Sequence, residues 1–201
     1  MNDMDEQLRG LGARAKFSYL LIWIFVAANG ACLAAEAIYL TAPGARVSFG
    51  AMIDTLTVVG SVAYLASAVA IGMWIHRAHK NLYTAGYEGL EFTPGWSVGW
   101  FFVPFANLVM PFRAMKELIE VSCPDDTRQG VRAWWGCFTI GNIITNLSMQ
   151  FMVEGDLSET AVGMDIVANA ITIASAIFLY RIIGKVTTSQ QSGVFVAQAF
   201  A

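Results

Sequence analysis

Residues 55–75, TLTVVGSVAYLASAVAIGMWI, run for twenty-one positions without one acidic or basic side chain. A helix crosses the hydrocarbon core of a bilayer with about 20 mainly apolar residues. A helix on the surface of a soluble domain would show a polar face, and this stretch has none. Three more windows behave alike. Residues 17–40 hold one charged side chain, Glu36, near their far end, and 162–183 hold Asp165 and Arg181 near their two ends. Residues 134–153 are more polar but free of charge. The chain is therefore predicted to be an all-α polytopic membrane protein with spans at 17–40, 53–76, 134–153 and 162–183. Charged residues make up 13% of it, against about 25% in soluble domains. A large soluble bundle with buried helices is the alternative, and several windows of membrane length argue against it.

The expected organisation is one integral-membrane domain, 1–201, with a cytoplasmic lead-in at 1–16 and a cytoplasmic tail at 184–201. Asp3, Asp5 and Glu6 spoil the basic start of a cleavable signal peptide, and the apolar run that follows is too long for one. Cys32, Cys123 and Cys137 form no C-x-x-C pair, and two fall inside predicted spans, against a disulfide framework. With a net charge of −3 and no basic patch, nucleic acid is not an expected partner. Cys123-Pro124 should end a helix, because the residue before proline is pushed out of the α region.

The topology turns on FTPGWSVGWFFVPFANLVMPFRA, residues 92–114, apolar enough for lipid yet carrying three prolines and two glycines. If it crosses completely, five of the twelve Lys and Arg residues lie inside and seven outside. If it enters and returns on one side, eleven lie inside and only Arg46 outside. Short loops rich in Lys and Arg stay in the cytoplasm, so a re-entrant element at 94–111, between the second and third spans, is the expectation. Both termini are then cytoplasmic. A kinked full span is the alternative. Pro104 and Pro111 each remove a helical hydrogen bond, Gly95 and Gly99 would permit close approach or a bend, and Trp96 and Trp100 would share one face at headgroup level. An amide at Asn107 is expected to bond to the carbonyls that the prolines free. From Phe112 the pattern turns amphipathic, with Met115, Leu118 and Ile119 on one side, which predicts an interfacial helix at 112–122.

WIHRAHKNLYTAGYEGLEFTPGWSVGWFFVPFANLVMPFRAMKEL, residues 74–118, resembles a bacterial inner-membrane family catalogued only as a domain of unknown function. The family pattern is W-x-x-R-A-x-x-N-L, a spacer, then P-G-W-x-V-G-W-x-F-x-P-x-x-N-L and a later proline. Its positions are Trp74, Arg77, Ala78, Asn81, Leu82, Pro94, Gly95, Trp96, Val98, Gly99, Trp100, Phe102, Pro104, Asn107, Leu108 and Pro111. The resemblance implies a multi-pass inner-membrane protein and no stated activity.

The candidate chemistry is sparse. Arg77 and Asn81, four apart, would share a helix face: an anion or headgroup site, or a boundary arginine beside a turn-capping amide, the second being favoured. His76 and His79 could share a metal, but no third ligand stands nearby, so no metal and no cofactor are expected. Asn142 and Asn146, with Asn29, Asn107 and Asn169, read as hydrogen-bonding glue between spans, or as a polar conduit. Glu36 and Asp165 lie close enough to the membrane edge for snorkelling or water contact to suffice. GWSVG, 95–99, has the letters of a nucleophile elbow without its strand–turn–helix setting. The expected role is non-enzymatic: a cytoplasmic rim from Arg77 to Lys116 that binds lipid headgroups, a protein partner or a second copy. A small oligomeric channel or transporter, with the broken element lining its path, is the rival.

Overall fold

The computed structural model describes residues 2–42, 44, 46–124, 129–151, 158–192 and 195. Every regular element among them is helical: α1 (Asn2–Thr41), α2 (Arg46–Ala85), α3 (Trp96–Gly99), α4 (Met110–Ser122), α5 (Gln129–Ser148) and α6 (Glu159–Gln190). Short 3₁₀ turns sit at Trp100–Phe102, Ala106–Leu108 and Met149–Phe151. The all-α expectation holds. Gly10–Thr41, Phe49–Ala85 and Glu159–Gln190 are long and apolar enough to cross a membrane, consistent with a membrane protein. At 40 residues each, α1 and α2 are about 60 Å long, twice the ~30 Å thickness of a hydrocarbon core. Each therefore continues well past any one crossing.

The chain divides into two compact units. One is drawn from Met1–Leu20, Ala68–Ala133 and Phe178–Ala201, the other from Leu21–Ser67 and Trp134–Ile177.

The second unit is built on small side chains. Ala28, Cys32 and Ala35 of α1, Ala63 of α2, and Ala161 and Ala168 of α6 are all buried. Without a hydrophobic drive between helices in lipid, close approach through small residues takes over. The closest approach is at Gly141, where a Cβ would stand 2.8 Å from Thr172 Oγ1 of α6. The outward faces stay apolar, as at Val58, Val62 and Leu65 of α2.

The polar side chains of this unit depart from expectation. Asn142 and Asn146 are exposed and donate to Phe138 and Asn142 carbonyls of their own helix, each at 2.8 Å. Asn29 likewise donates to its own Phe25 carbonyl, at 2.8 Å. An amide that satisfies a carbonyl one turn back needs no neighbouring helix, so these three are not interhelical glue. Asn169 is: its Nδ2 donates to both Glu36 oxygens, at 3.1 Å each. Glu36 is only 3% exposed and so does not snorkel.

The first unit closes around the C-terminal part of α2. That helix stops because Gly86 takes φ 91°, a left-handed conformation that costs glycine nothing. The Gly86 N–H then reaches the Tyr83 carbonyl at 3.1 Å and the Tyr87 N–H the Leu82 carbonyl at 3.2 Å, a Schellman end. Helix α4 starts with Pro111 in its first turn, where proline lacks nothing the helix needs. It stops at Cys123, as the Cys-Pro step predicts.

Candidate functional site: an exposed apolar tip on a braced scaffold

Trp74, Ala78, Asn81 and Leu82 are all buried along one side of α2. The Trp74 indole N–H donates to Thr187 Oγ1 of α6 at 3.0 Å. The Asn81 amide donates to Gln190 Oε1 at 3.1 Å, and the Gln190 amide donates onward to the Ala78 carbonyl at 3.2 Å and Ser122 Oγ at 2.9 Å. One glutamine at the end of α6 thus fastens α2 to the end of α4. Buried amides need such partners, because each polar group left unmade costs about 1–3 kcal/mol.

The chain leaving α2 is pinned to α4. The Glu117 carboxylate accepts the backbone N–H groups of Glu91 and of Phe92, the latter at 3.2 Å. Arg113 pairs with Glu91 at 2.6 Å, and Tyr83 Oη donates to the Phe92 carbonyl at 3.4 Å. Burial holds the Glu117 carboxyl above its ordinary range; the two backbone donors pull it down, and nearby Glu91 and Glu120 push it up. His79, fully buried, turns Nδ1 to the Ile75 carbonyl at 3.1 Å and Nε2 toward Glu117 Oε1 at 4.0 Å.

Beyond this brace, 92–112 contain no charged residue. Thr93 Oγ1 accepts the Trp96 N–H at 3.3 Å, and buried Ser97 donates to the Pro94 carbonyl at 2.8 Å. These bonds close the first turn of α3. Val98 of α3 rests on α2 at Gly72, where a Cβ would meet Val98 Cγ1 at 3.4 Å. Trp96 and Trp100 pack with ring centroids 4.8 Å apart. The chain then reverses at Phe105, whose φ of 64° and ψ of −43° accompany a 2.8 Å bond from the Ala106 N–H to the Pro104 carbonyl. This is a γ-turn of the strained hand. The reversal leaves Phe102 82% and Phe105 86% exposed, with Leu108 and Val109 also outward. Local bonds satisfy the backbone here: Asn107 N–H to Val103 at 2.9 Å, Leu108 to Phe105 at 3.2 Å, and Val109 to Ala106 at 3.0 Å.

Residues 42–188, well over half of the chain, match the family described as a domain of unknown function, DUF4328. The chain belongs to this family. No curated protein and no solved structure matches it.

Within this DUF4328 member the structure brings the signature residues into one unit but gives them unlike surroundings. Trp96, Gly95, Pro104 and Asn107 are exposed, Arg77, Pro94, Gly99 and Trp100 partly buried, and Asn81 and Pro111 buried. Four expectations are corrected. Asn81 neither caps a turn nor faces an anion; it bonds across to Gln190. The Asn107 side chain is exposed, and the Trp100 carbonyl that Pro104 frees accepts the Val103 N–H at 3.5 Å instead. Among the described residues, apart from its chain neighbours, nothing comes within 4 Å of a Cβ placed at Gly95, and the nearest neighbour at Gly99 is the Trp96 ring, 3.1 Å away. Neither glycine marks a close backbone approach. The apolar side of α4 is not offered to lipid, since Ala114, Met115, Leu118 and Ile119 are buried inside the protein. His76 is exposed while His79 is buried, and the described residues form no group of three or more metal-ligand side chains. Ser97, the serine of GWSVG, is buried and bonded to its own turn.

Glu117, Thr187 and Gln190 escaped the sequence reading. Glu117 was legible only as polar surface on an amphipathic helix. Nothing local to Thr187 or Gln190 distinguishes them from other polar residues near a helix end.

Proposed function

We propose that this protein is a non-enzymatic component of the bacterial inner membrane that engages lipid through its 94–111 element. In this reading the spans are 17–40, 53–76, 134–153 and 162–183, both termini are cytoplasmic, and 94–111 is re-entrant. The rim from Arg77 to Lys116 meets lipid headgroups. The observation that carries the reading is the tip itself: Phe102 and Phe105 stand out from a backbone braced by Glu117. Exposed apolar clusters mark interaction sites, and strain of about 1–3 kcal/mol at a residue such as Phe105 persists where its surroundings impose it. The contact of Val98 with Gly72 supports re-entry, because Gly72 falls inside the window 53–76. Trp96 and Trp100 suit the headgroup level, and Arg113 and Lys116, the two basic residues of α4, suit the phosphates.

Reconstitution into liposomes carrying a phospholipid with a photoreactive acyl chain tests this. Cross-links are expected within 101–112. In whole cells, a single cysteine at Ser158 should react with an impermeant thiol reagent from outside, whereas cysteines at Thr84 and Ser192 should not. Cross-links absent from the tip, together with labelling of a cysteine at Phe105 by the impermeant reagent added to inside-out membrane vesicles, would refute lipid engagement. Outside labelling of a cysteine at Thr127 would restore five spans.

A further inference from the structure

The second unit holds a carboxyl group that the tip and its rim do not use. We infer that Glu36, with Asn169, forms a proton-binding site inside the spanning part of the molecule. Glu36 belongs to the apolar window 17–40, five residues before the end of α1 at Thr41, or about 8 Å along the helix. Asn169 belongs to the window 162–183. The two meet through a two-oxygen contact, both at 3.1 Å, and Cys32 Sγ adds a third hydrogen bond, to Glu36 Oε1 at 3.3 Å. Cys32 in turn lies 3.9 Å from Thr57 Oγ1 of α2. Two helices, α1 and α6, therefore meet at one carboxyl group that is almost wholly removed from solvent, and α2 touches its Cys32 partner.

The partners identify the ligand. Asn169 and Cys32 are neutral, and no Lys, Arg or His among the described residues forms an ion pair with Glu36. The acidic neighbour Asp165, one turn before Asn169 on α6, acts on Glu36 with charge of the same sign. The titratable groups facing Glu36 are thus Cys32 on its own helix and Asp165 on α6, while α2 presents Thr57. An ionised carboxylate held among apolar residues without a cation is costly, and ionisable groups within spans are functional sites by default. Something positive must be bound. A metal ion would need oxygen ligands, but Asn169 offers Glu36 its NH₂ group and Cys32 its S–H, both donors. A proton fits: supplied by water, it bonds covalently to one Glu36 oxygen, and the lone pairs left on the two oxygens still accept from the amide and the thiol. The inference does not rest on the lipid reading of the tip, which lies in the other unit.

Dicyclohexylcarbodiimide, which partitions into lipid, is the probe. The O–H of a protonated carboxyl adds across a C=N bond of the carbodiimide, and the O-acylisourea rearranges to a stable N-acylurea, so the whole reagent is retained with nothing else consumed. The full-length protein in lipid nanodiscs is treated across pH 5 to 9 and peptides are read by mass. The expected result is an adduct on Glu36 that falls about tenfold per pH unit above its midpoint. It should persist in Asp165→Asn and vanish in Glu36→Gln. An adduct on Asp165 alone, no adduct at any pH, or a Glu36 adduct indifferent to pH would each overturn the proposal. Because the wild-type pH profile decides the outcome, it does not depend on Glu36→Gln folding.

Discussion

The two halves of the family signature behave in opposite ways. Its first half, from Trp74 to Leu82, lies against α6 with an indole, an amide and two apolar side chains hidden from solvent. Its second half, from Pro94 to Pro111, sends two phenylalanines outward and satisfies its backbone almost entirely with bonds to residues three or four positions away. The first half is architecture whose partners come from more than a hundred residues along the chain. The second is a presented surface whose shape is locally made. One sequence motif therefore serves two physical purposes, and the Glu117 brace joins them.

The largest test of that contrast is Trp74→Ala. It removes a fully buried ring together with the bond to Thr187, and should lower stability in detergent by about 3–5 kcal/mol. If it unfolds no earlier than Phe102→Ala, the contrast is wrong. Asn81→Leu comes next. It strips the partner from Gln190 Oε1 within a buried network, at a cost of about 1–3 kcal/mol, and denaturant midpoints for both variants would rank them.

The brace itself should titrate. Burial holds the folded-state Glu117 carboxyl above its ordinary value of 4.5. Its contribution to stability is therefore full below that value and is lost as pH rises through the folded value. The melting temperature of the wild type relative to Glu117→Gln should rise as pH drops from 7 to 4.5. A gap that narrows on acidification would mean the two backbone donors outweigh burial. The smallest effect belongs to the tip: Phe105→Gly gives up an 86% exposed ring and relieves a backbone conformation that glycine accepts. Stability in detergent should change by less than about 0.5 kcal/mol, while photo-cross-linking to lipid falls. A large loss of stability would show the ring packing against the protein after all.

Much of the framework was legible because hydrophobicity is a local signal. The windows at 17–40, 53–76 and 162–183 fall within α1, α2 and α6, and Cys123-Pro124 ends α4. The Trp96–Trp100 pair was legible from a spacing of four. The site was less so. Asn81 and Asn107 are the same amide in the same signature, one buried and bonded across the unit, the other exposed. Only the position of Gln190 separates them, and that is a long-range fact. Asn142, Asn146 and Asn169 pose the same difficulty: the first two bond to their own helix and the third reaches Glu36.

The sequence by itself determined that the chain is helical and apolar at membrane length, where α4 must stop, and that 92–112 carry no charge. Each of these depends on residues within a turn or two, so composition and period suffice. The tertiary structure decided which face of α4 is covered, which of two identical amides is buried, and that the phenylalanines at 102 and 105 point away from the protein. It also decided that Glu36 meets Asn169, 133 positions away. A hydrogen bond between helices is set by the register and rotation at which they pack, and small side chains such as Ala35 and Ala168 allow the approach without announcing their partner.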